Sequence, residues 1–350
     1  MRDATPHTAP TSGPAAHTSR RPGLPIDPYI AALLTTVALA ALLPASGAAA
    51  APVASAATGA VALLFFLYGA RLSTRQTVDG LRHWRLHLTI VTSTFVLFPL
   101  LGLAFRALVP YVVAPQLYPG LLYLCVLPTT VQSAIAFTGI ARGNVPAAIC
   151  AGTYSSLLGM VATPLLAMAL LGSGAVISAD RLTGVATELL LPFLAGQLLR
   201  RWIGSFLGRR RTALGLVDRG SVLLVVYVAF SQGMAQHVWH QATAPRLLEL
   251  LAVEAVLLAL VLTATATGST VLGFGRADRI AIVFSGSKKS LVNGLPMAAV
   301  LFGAKAGLTV LPLMMFHQMQ LIVCAVIARR WSRRPAGPRL EHTAPAVLVP

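Results

Sequence analysis

Phe284-Ser285-Gly286-Ser287-Lys288-Lys289-Ser290-Leu291-Val292-Asn293-Gly294-Leu295-Pro296-Met297 is the stretch whose reading decides the fold of this chain. It sits inside an apolar run, 279–303, long enough to cross a bilayer. It nevertheless carries Ser285, Ser287, Lys288, Lys289, Ser290 and Asn293, with the helix-weakening Gly286, Gly294 and Pro296 among them. The chain has three lysines, and two of them stand side by side here. A lysine at the bilayer centre costs about 2.5–3.5 kcal/mol on insertion scales, so the protein must supply something that offsets it. Arg276 and Arg279 mark the membrane edge, and at about 1.5 Å rise per residue Lys288 lies roughly 13 Å beyond Arg279. Adjacent helical residues point about 100° apart, so one lysine is expected to face a cavity and the other a protein partner. In a cavity a lysine binds an anion, or its ammonium takes the place that a sodium ion would occupy.

A second run, 117–141, is interrupted in the same way. Pro128 removes a backbone donor in mid-run, and Thr129, Thr130, Gln132 and Ser133 follow at once. Broken backbone at bilayer depth is tolerated where it is buried in protein or lines a wet cavity. Single Ser and Thr residues can simply pack helices together. Two polar clusters at breaks in corresponding places are instead the pattern of a transporter's binding site.

Around these two runs the chain reads as membrane protein throughout. Of 350 residues 56% are hydrophobic and 11% charged, and the mean hydropathy is +0.76, whereas a soluble domain carries roughly 25% charged residues. The formal net charge of +17 comes from arginines in short bridges between apolar runs, which argues against a nucleic-acid partner. Cys125, Cys150 and Cys324 all fall in apolar runs and read as packing residues, with no disulfide framework or metal spacing. No catalytic motif is found, so an enzyme is not expected, nor is a cofactor or bound metal. Residues 1–25 and 333–350 are rich in Pro, Ala, Ser, Thr or Arg and read as disordered tails.

Ten runs are long enough to span: roughly 28–46, 52–70, 86–109, 117–141, 145–171, 183–203, 218–236, 247–272, 279–303 and 307–329. The links after even-numbered runs carry thirteen basic residues (Arg71, Arg75, Arg82, Arg85, Arg142, Arg200, Arg201, Arg209, Arg210, Arg211, Arg219, Arg276, Arg279), against four (Arg106, Arg181, Arg246, Lys305) after odd-numbered ones. The positive-inside rule then puts both termini in the cytoplasm. The expected fold is an all-α membrane domain over 26–332, built as two inverted five-helix repeats, about 26–171 and 183–330, with runs 4 and 9 as broken crossing helices. Glu188 and Glu254 are acids at depth that could pair with a lysine of the ninth run, or bind a proton or sodium. His317, Gln318 and Gln320 form a weaker polar cluster in the tenth run.

Four segments also carry a family resemblance: 285–298, 127–137, Ala-Arg-Gly-Asn-Val at 141–145, and Leu-Leu-Pro-Phe-Leu-Ala-Gly-Gln-Leu-Leu-Arg at 190–200. Together they are similar to the SBF-like branch of the bile acid:sodium symporter superfamily, over about Ile26 to Arg334. The resemblance implies inverted five-span repeats, divided into a panel and a core domain, with the two broken spans crossing beside ion and substrate sites. It brings Gln132 and Ser133, and Thr153, Ser155 and Ser156 of the fifth run, to the positions where the better-known symporters coordinate sodium. Those symporters carry a glutamate in the ninth span, where this chain has Ser285 to Ser290 with two lysines and no carboxylate. A sodium ion held there would lack its anionic oxygen ligand.

The functional expectation is a secondary active transporter in the plasma membrane. It would move a small organic anion, bile-acid or sterol-like, by alternating access, with sodium or a proton as coupling ion. The expected substrate and ion contacts are Thr129, Thr130, Gln132, Ser133, Thr153, Ser155, Ser156, Ser285, Ser287, Lys288, Lys289, Ser290 and Asn293. The alternative is a membrane regulator or scaffold that keeps the fold and transports nothing.

Overall fold

The computed structural model describes residues 28–71, 83–171, 186–235 and 243–333; the tail expected at 1–25, and all but Arg333 of the one expected at 333–350, lie outside them. Twelve α-helices organise the described residues: α1 (Pro28–Leu42), α2 (Ala50–Arg71), α3 (Trp84–Leu108), α4 (Tyr118–Val126), α5 (Val131–Ile140), α6 (Val145–Leu171), α7 (Leu191–Arg209), α8 (Arg211–Ala235), α9 (Ala244–Val271), α10 (Arg276–Gly286), α11 (Leu291–Phe302) and α12 (Ala306–Ser332). No strand occurs among the described residues.

Helix falls on each of the ten apolar runs, but among the described residues six helices are long and apolar enough to cross a membrane unbroken: Gly47–Arg71, Trp84–Leu108, Val145–Leu171, Thr212–Met234, Ala244–Val271 and Ala306–Ser332. The pair α4 and α5, bent by 67°, makes a seventh if counted as one span. The remaining runs fall short for local reasons. α1 has only 15 residues, α7 carries Arg200, Arg201 and Arg209, and the run from Arg276 to Phe302 is cut in the middle. Large apolar side chains such as Leu100, Leu191, Leu198 and Ile322 point outward, as lipid-facing residues do.

Packing divides the helices into two groups. α2 lies along α7, and both α1 and α2 pack on α8. α3 to α6 pack with one another and with α9 to α12; α8 touches both groups through α11 and α12. The α2–α7 contact is set by glycine: a Cβ on Gly69 would stand 2.0 Å from the Phe193 carbonyl oxygen, and one on Gly196 would stand 2.0 Å from that of Phe66. Only backbone without side chains permits that approach.

The first interruption falls where the sequence puts it, after Val126, because Pro128 cannot continue the helical ladder. The second comes at Ser287–Ser290, whereas Pro296 lies inside α11. The backbone of Ser290 and Lys289 is drawn out of the ladder by partners on other helices: Ser290 N–H donates to Pro128 O (2.9 Å) and Lys289 N–H to Gln320 Oε1 (2.9 Å).

Candidate functional site

The two breaks meet, and each completes the backbone bonding of the other. A helix end leaves its last carbonyls without intrahelical partners. At the end of α4 these are satisfied from outside: Cys125 O and Leu127 O by Lys289 Nζ (2.8 and 2.7 Å), Val126 O by Thr163 Oγ1 (2.8 Å), and Pro128 O by Ser290 N–H (2.9 Å). At the end of α10, Thr129 Oγ1 donates to Ser285 O and Ser93 Oγ to Gly286 O (2.8 Å). Lys289 O accepts from Thr130 Oγ1 (2.7 Å) and Gln320 Nε2 (2.9 Å). Ser155 Oγ accepts from Thr129 N–H (3.0 Å), fixing α6 to the crossing.

Lys289 is the centre of this network. Its ammonium is wholly buried and donates all three protons: to Cys125 O, to Leu127 O, and to Thr94 O (2.8 Å) in the π turn Ser93–Leu97 of α3. The Phe98 ring covers it, with its centroid 4.0 Å from Nζ. Hydrogen bonds to a charged group are worth about 1.5–3 kcal/mol each, enough in a set of three to offset the desolvation of one lysine. The position, at the C-terminus of α4, also places positive charge at the negative end of a helix dipole.

In front of the crossing lies a cavity of about 670 Å³. Its floor is the first turn of α5 (Thr130, Val131, Gln132, Ser133) and the start of α11 (Ser290, Leu291, Val292, Asn293). Thr153, Ser156, Leu157 and Met160 of α6 form one wall. Ala136 and Phe137 of α5, Tyr68 and Arg71 of α2, Phe193 of α7, Gly215, Asp218 and Arg219 of α8, and His317 and Leu321 of α12 form the rest. Asn293 Nδ2 donates to Ser156 Oγ (3.4 Å) across it.

The predicted site residues thus divide. Thr130, Gln132, Ser133, Thr153, Ser156, Ser290 and Asn293 line the cavity. Thr129, Ser155, Ser285, Ser287, Lys288 and Lys289 are all buried behind it. Neither lysine faces the cavity, contrary to expectation: Lys289 turns to the carbonyls of the crossing, and Lys288 lies behind the ring of Phe137, which itself lines the cavity, and against that of Phe284. Nor, among the described residues, does a carboxylate pair with them. Glu254 is wholly buried and has no hydrogen-bond partner among the described residues on either oxygen, Glu188 is half-buried, and neither lies within ion-pair distance of Lys288 or Lys289. The reason for Lys289 is that main-chain oxygens already take every proton it has.

Sequence reading missed the far wall. Arg71 and Arg219 had counted as topology signals, yet both line the cavity, and Arg71 donates to Asp218 in an ion pair. The signal was Asp218 itself, a lone acid in a bridge of arginines.

Residues 27–333 match the model of the SBF-like CPA transporter family. An uncharacterized protein of Pseudomonas aeruginosa, PA2026, is 51% identical over 317 residues, covering 90% of this chain and 95% of its own. YfeH of Escherichia coli, named as a candidate symporter, is 48% identical over 313 residues (88% and 94%). Sodium/bile acid cotransporter 7 of Danio rerio is 28% identical over 312 residues (85% and 91%). A chain with several bilayer-length helices, two mutually bonded helix breaks and a match along 27–333 belongs to the SBF-like CPA transporter family of multi-pass membrane proteins.

Proposed function

We propose that the protein is a secondary active transporter for a small organic anion. The observation that carries this is the cavity floor. The first turns of α5 and α11 both line it, so two helix N-termini present their positive dipole ends to whatever enters, with Ser290 Oγ taking the Asn293 N–H (3.2 Å) at the start of α11. Thr130, the residue before α5, makes no side-chain cap, since its hydroxyl goes to Lys289 O. Apolar side chains, Leu157, Met160, Phe193 and Leu321, suit a substrate with a hydrocarbon body, bile-acid or sterol-like.

On this reading the chain crosses the plasma membrane ten times as two inverted repeats. The grouping of α1, α2, α7 and α8 apart from α3–α6 and α9–α12 supports it, since it takes the first two and last three spans of each half. Alternating access moves one group against the other. With both termini cytoplasmic, Arg71 and Arg219 mark a cavity facing inward.

Lys289 stands where a cation would otherwise sit among three carbonyl oxygens, so transport needs no sodium ion at that point. Glu254, buried without a partner, is the group suited to carry a proton as coupling ion. Uptake of anionic sterols and organic acids by purified protein in liposomes, under an imposed proton or sodium gradient, is the test. Proton-driven anion uptake is the expected result. Absence of flux under either gradient would sink the transport reading and leave a regulator that retains the fold.

A further inference from the structure

Lys288 is enclosed quite differently from its neighbour. Its side chain is wholly buried, yet its ammonium, with three protons to donate, has no hydrogen-bond acceptor among the described residues. Two rings face it, with the buried Cys324 thiol also near enough to interact electrostatically: Nζ stands 3.8 Å from the centroid of the Phe137 ring and 5.8 Å from that of Phe284. Phe284 is wholly buried and backed by Trp331, 5.5 Å between centroids. Phe137 is only half-buried and forms part of the cavity wall. It is therefore the partition between an unpaired cation and the cavity. One turn earlier on the same face of α5, Ser133 also lines the cavity, and its hydroxyl is buried without a partner.

A ring face attracts an ammonium, but more weakly than a carboxylate oxygen at hydrogen-bonding distance. An ammonium enclosed without an acceptor is costly in a low-dielectric interior. An anion gains more from Lys288 than Phe137 does, so it favours an arrangement in which the ring has swung aside. Building on the transport reading, we propose that Phe137 is a gate over a hidden anion subsite, where Lys288 Nζ and Ser133 Oγ receive the carboxylate or sulfonate head of the transported anion. The apolar body stays in the cavity against Leu157 and Met160. The subsite selects single charge at the head, since one ammonium neutralises one negative charge and a second would stay desolvated and unpaired.

The scarcity of lysine makes the gate directly readable. Reductive methylation of the full chain in lipid nanodiscs, followed by mass spectrometry at Lys288, Lys289 and the exposed Lys305, measures access to each amine. Phe137→Ala is expected to raise Lys288 modification about tenfold over wild type, the population change that one desolvated cation–ring contact supports. Lys289 stays protected and Lys305 unchanged. Benzoate slows Lys288 modification in Phe137→Ala, and benzyl alcohol does not. Equal modification of Lys288 in wild type and Phe137→Ala, or equal protection by benzyl alcohol, overturns the gate. Should Phe137→Ala fail to fold, melting temperature gives the same decision: benzoate is expected to raise it in wild type and Phe137→Leu but not in Lys288→Met. A benzoate shift retained in Lys288→Met overturns the subsite. None of these readouts involves flux, so silent liposomes with these results intact would count against transport alone.

Discussion

On the cavity side of the crossing, Gln132, Ser133, Ser156 and Asn293 keep much of their polar capacity free or loosely engaged; Ser133 Oγ has no partner, and the Asn293–Ser156 contact is 3.4 Å long. On the opposite side, Thr129, Ser155 and Lys289 spend theirs on named backbone groups at 3.0 Å or less. The residue types are alike; what differs is whether the partner is a fixed carbonyl or an open space. Polar groups tied to helix ends hold a broken span together in lipid, whereas polar groups facing a cavity remain available to a ligand. Lys288 belongs to neither class, being buried like the first and unpaired like the second.

The contrast is broken most severely at Lys289. Lys289→Met leaves Thr94 O, Cys125 O and Leu127 O without their donor, and a stability loss of about 3–5 kcal/mol is expected, read as a lower melting temperature in detergent. A variant melting with wild type would show that the cage does not support the crossing. Sodium that selectively restores the melting temperature of Lys289→Ala, where potassium does not, would sharpen the point by showing that the ammonium fills a cation's place. Next in size is Thr129→Val, which removes the hydroxyl bond to Ser285 O and should cost about 1–3 kcal/mol while changing little volume.

Lys288→Met tests the exception. Replacing an unpaired buried cation with an apolar chain of similar length is expected to leave stability unchanged or raise it by about 1 kcal/mol. Its uptake should nonetheless fall to background in the liposome assay. Destabilisation on the scale of Lys289→Met would place Lys288 with the structural residues. Gln132→Ala should have the smallest effect on melting, within about 0.5 kcal/mol, because its side chain is exposed to the cavity. Any change it causes should appear in uptake, and a marked loss of stability would erase the distinction between the two faces.

Much of this division was partly legible beforehand. Pro128 removes a backbone donor wherever it sits, so the first break could be read from one residue. Lys288 and Lys289 announced themselves by their cost at bilayer depth. Their orientation was not legible, because it depends on carbonyls supplied by α3 and α4, nearly 200 positions away in the case of Thr94. Thr153, Ser155 and Ser156 illustrate the same limit: three polar residues on one helix, of which Ser155 turns to the crossing backbone while the other two line the cavity. Arg71 and Arg219 read as loop charges because their wall is assembled from α2 and α8, far apart in the chain.

By itself, the sequence determined that lipid is the solvent, that the chain is helical, and that two of its apolar runs cannot continue unbroken. Those properties follow from local chemistry: too little charge for a wet surface, a missing amide hydrogen, and cations where no water reaches. Tertiary structure alone decided which polar groups complete helix ends and which face the cavity. It also decided that Lys289 is fully bonded while Lys288 meets the rings of Phe137 and Phe284. Hydrogen bonding at a break is a matter of what the other break presents, and that is fixed only when the two meet.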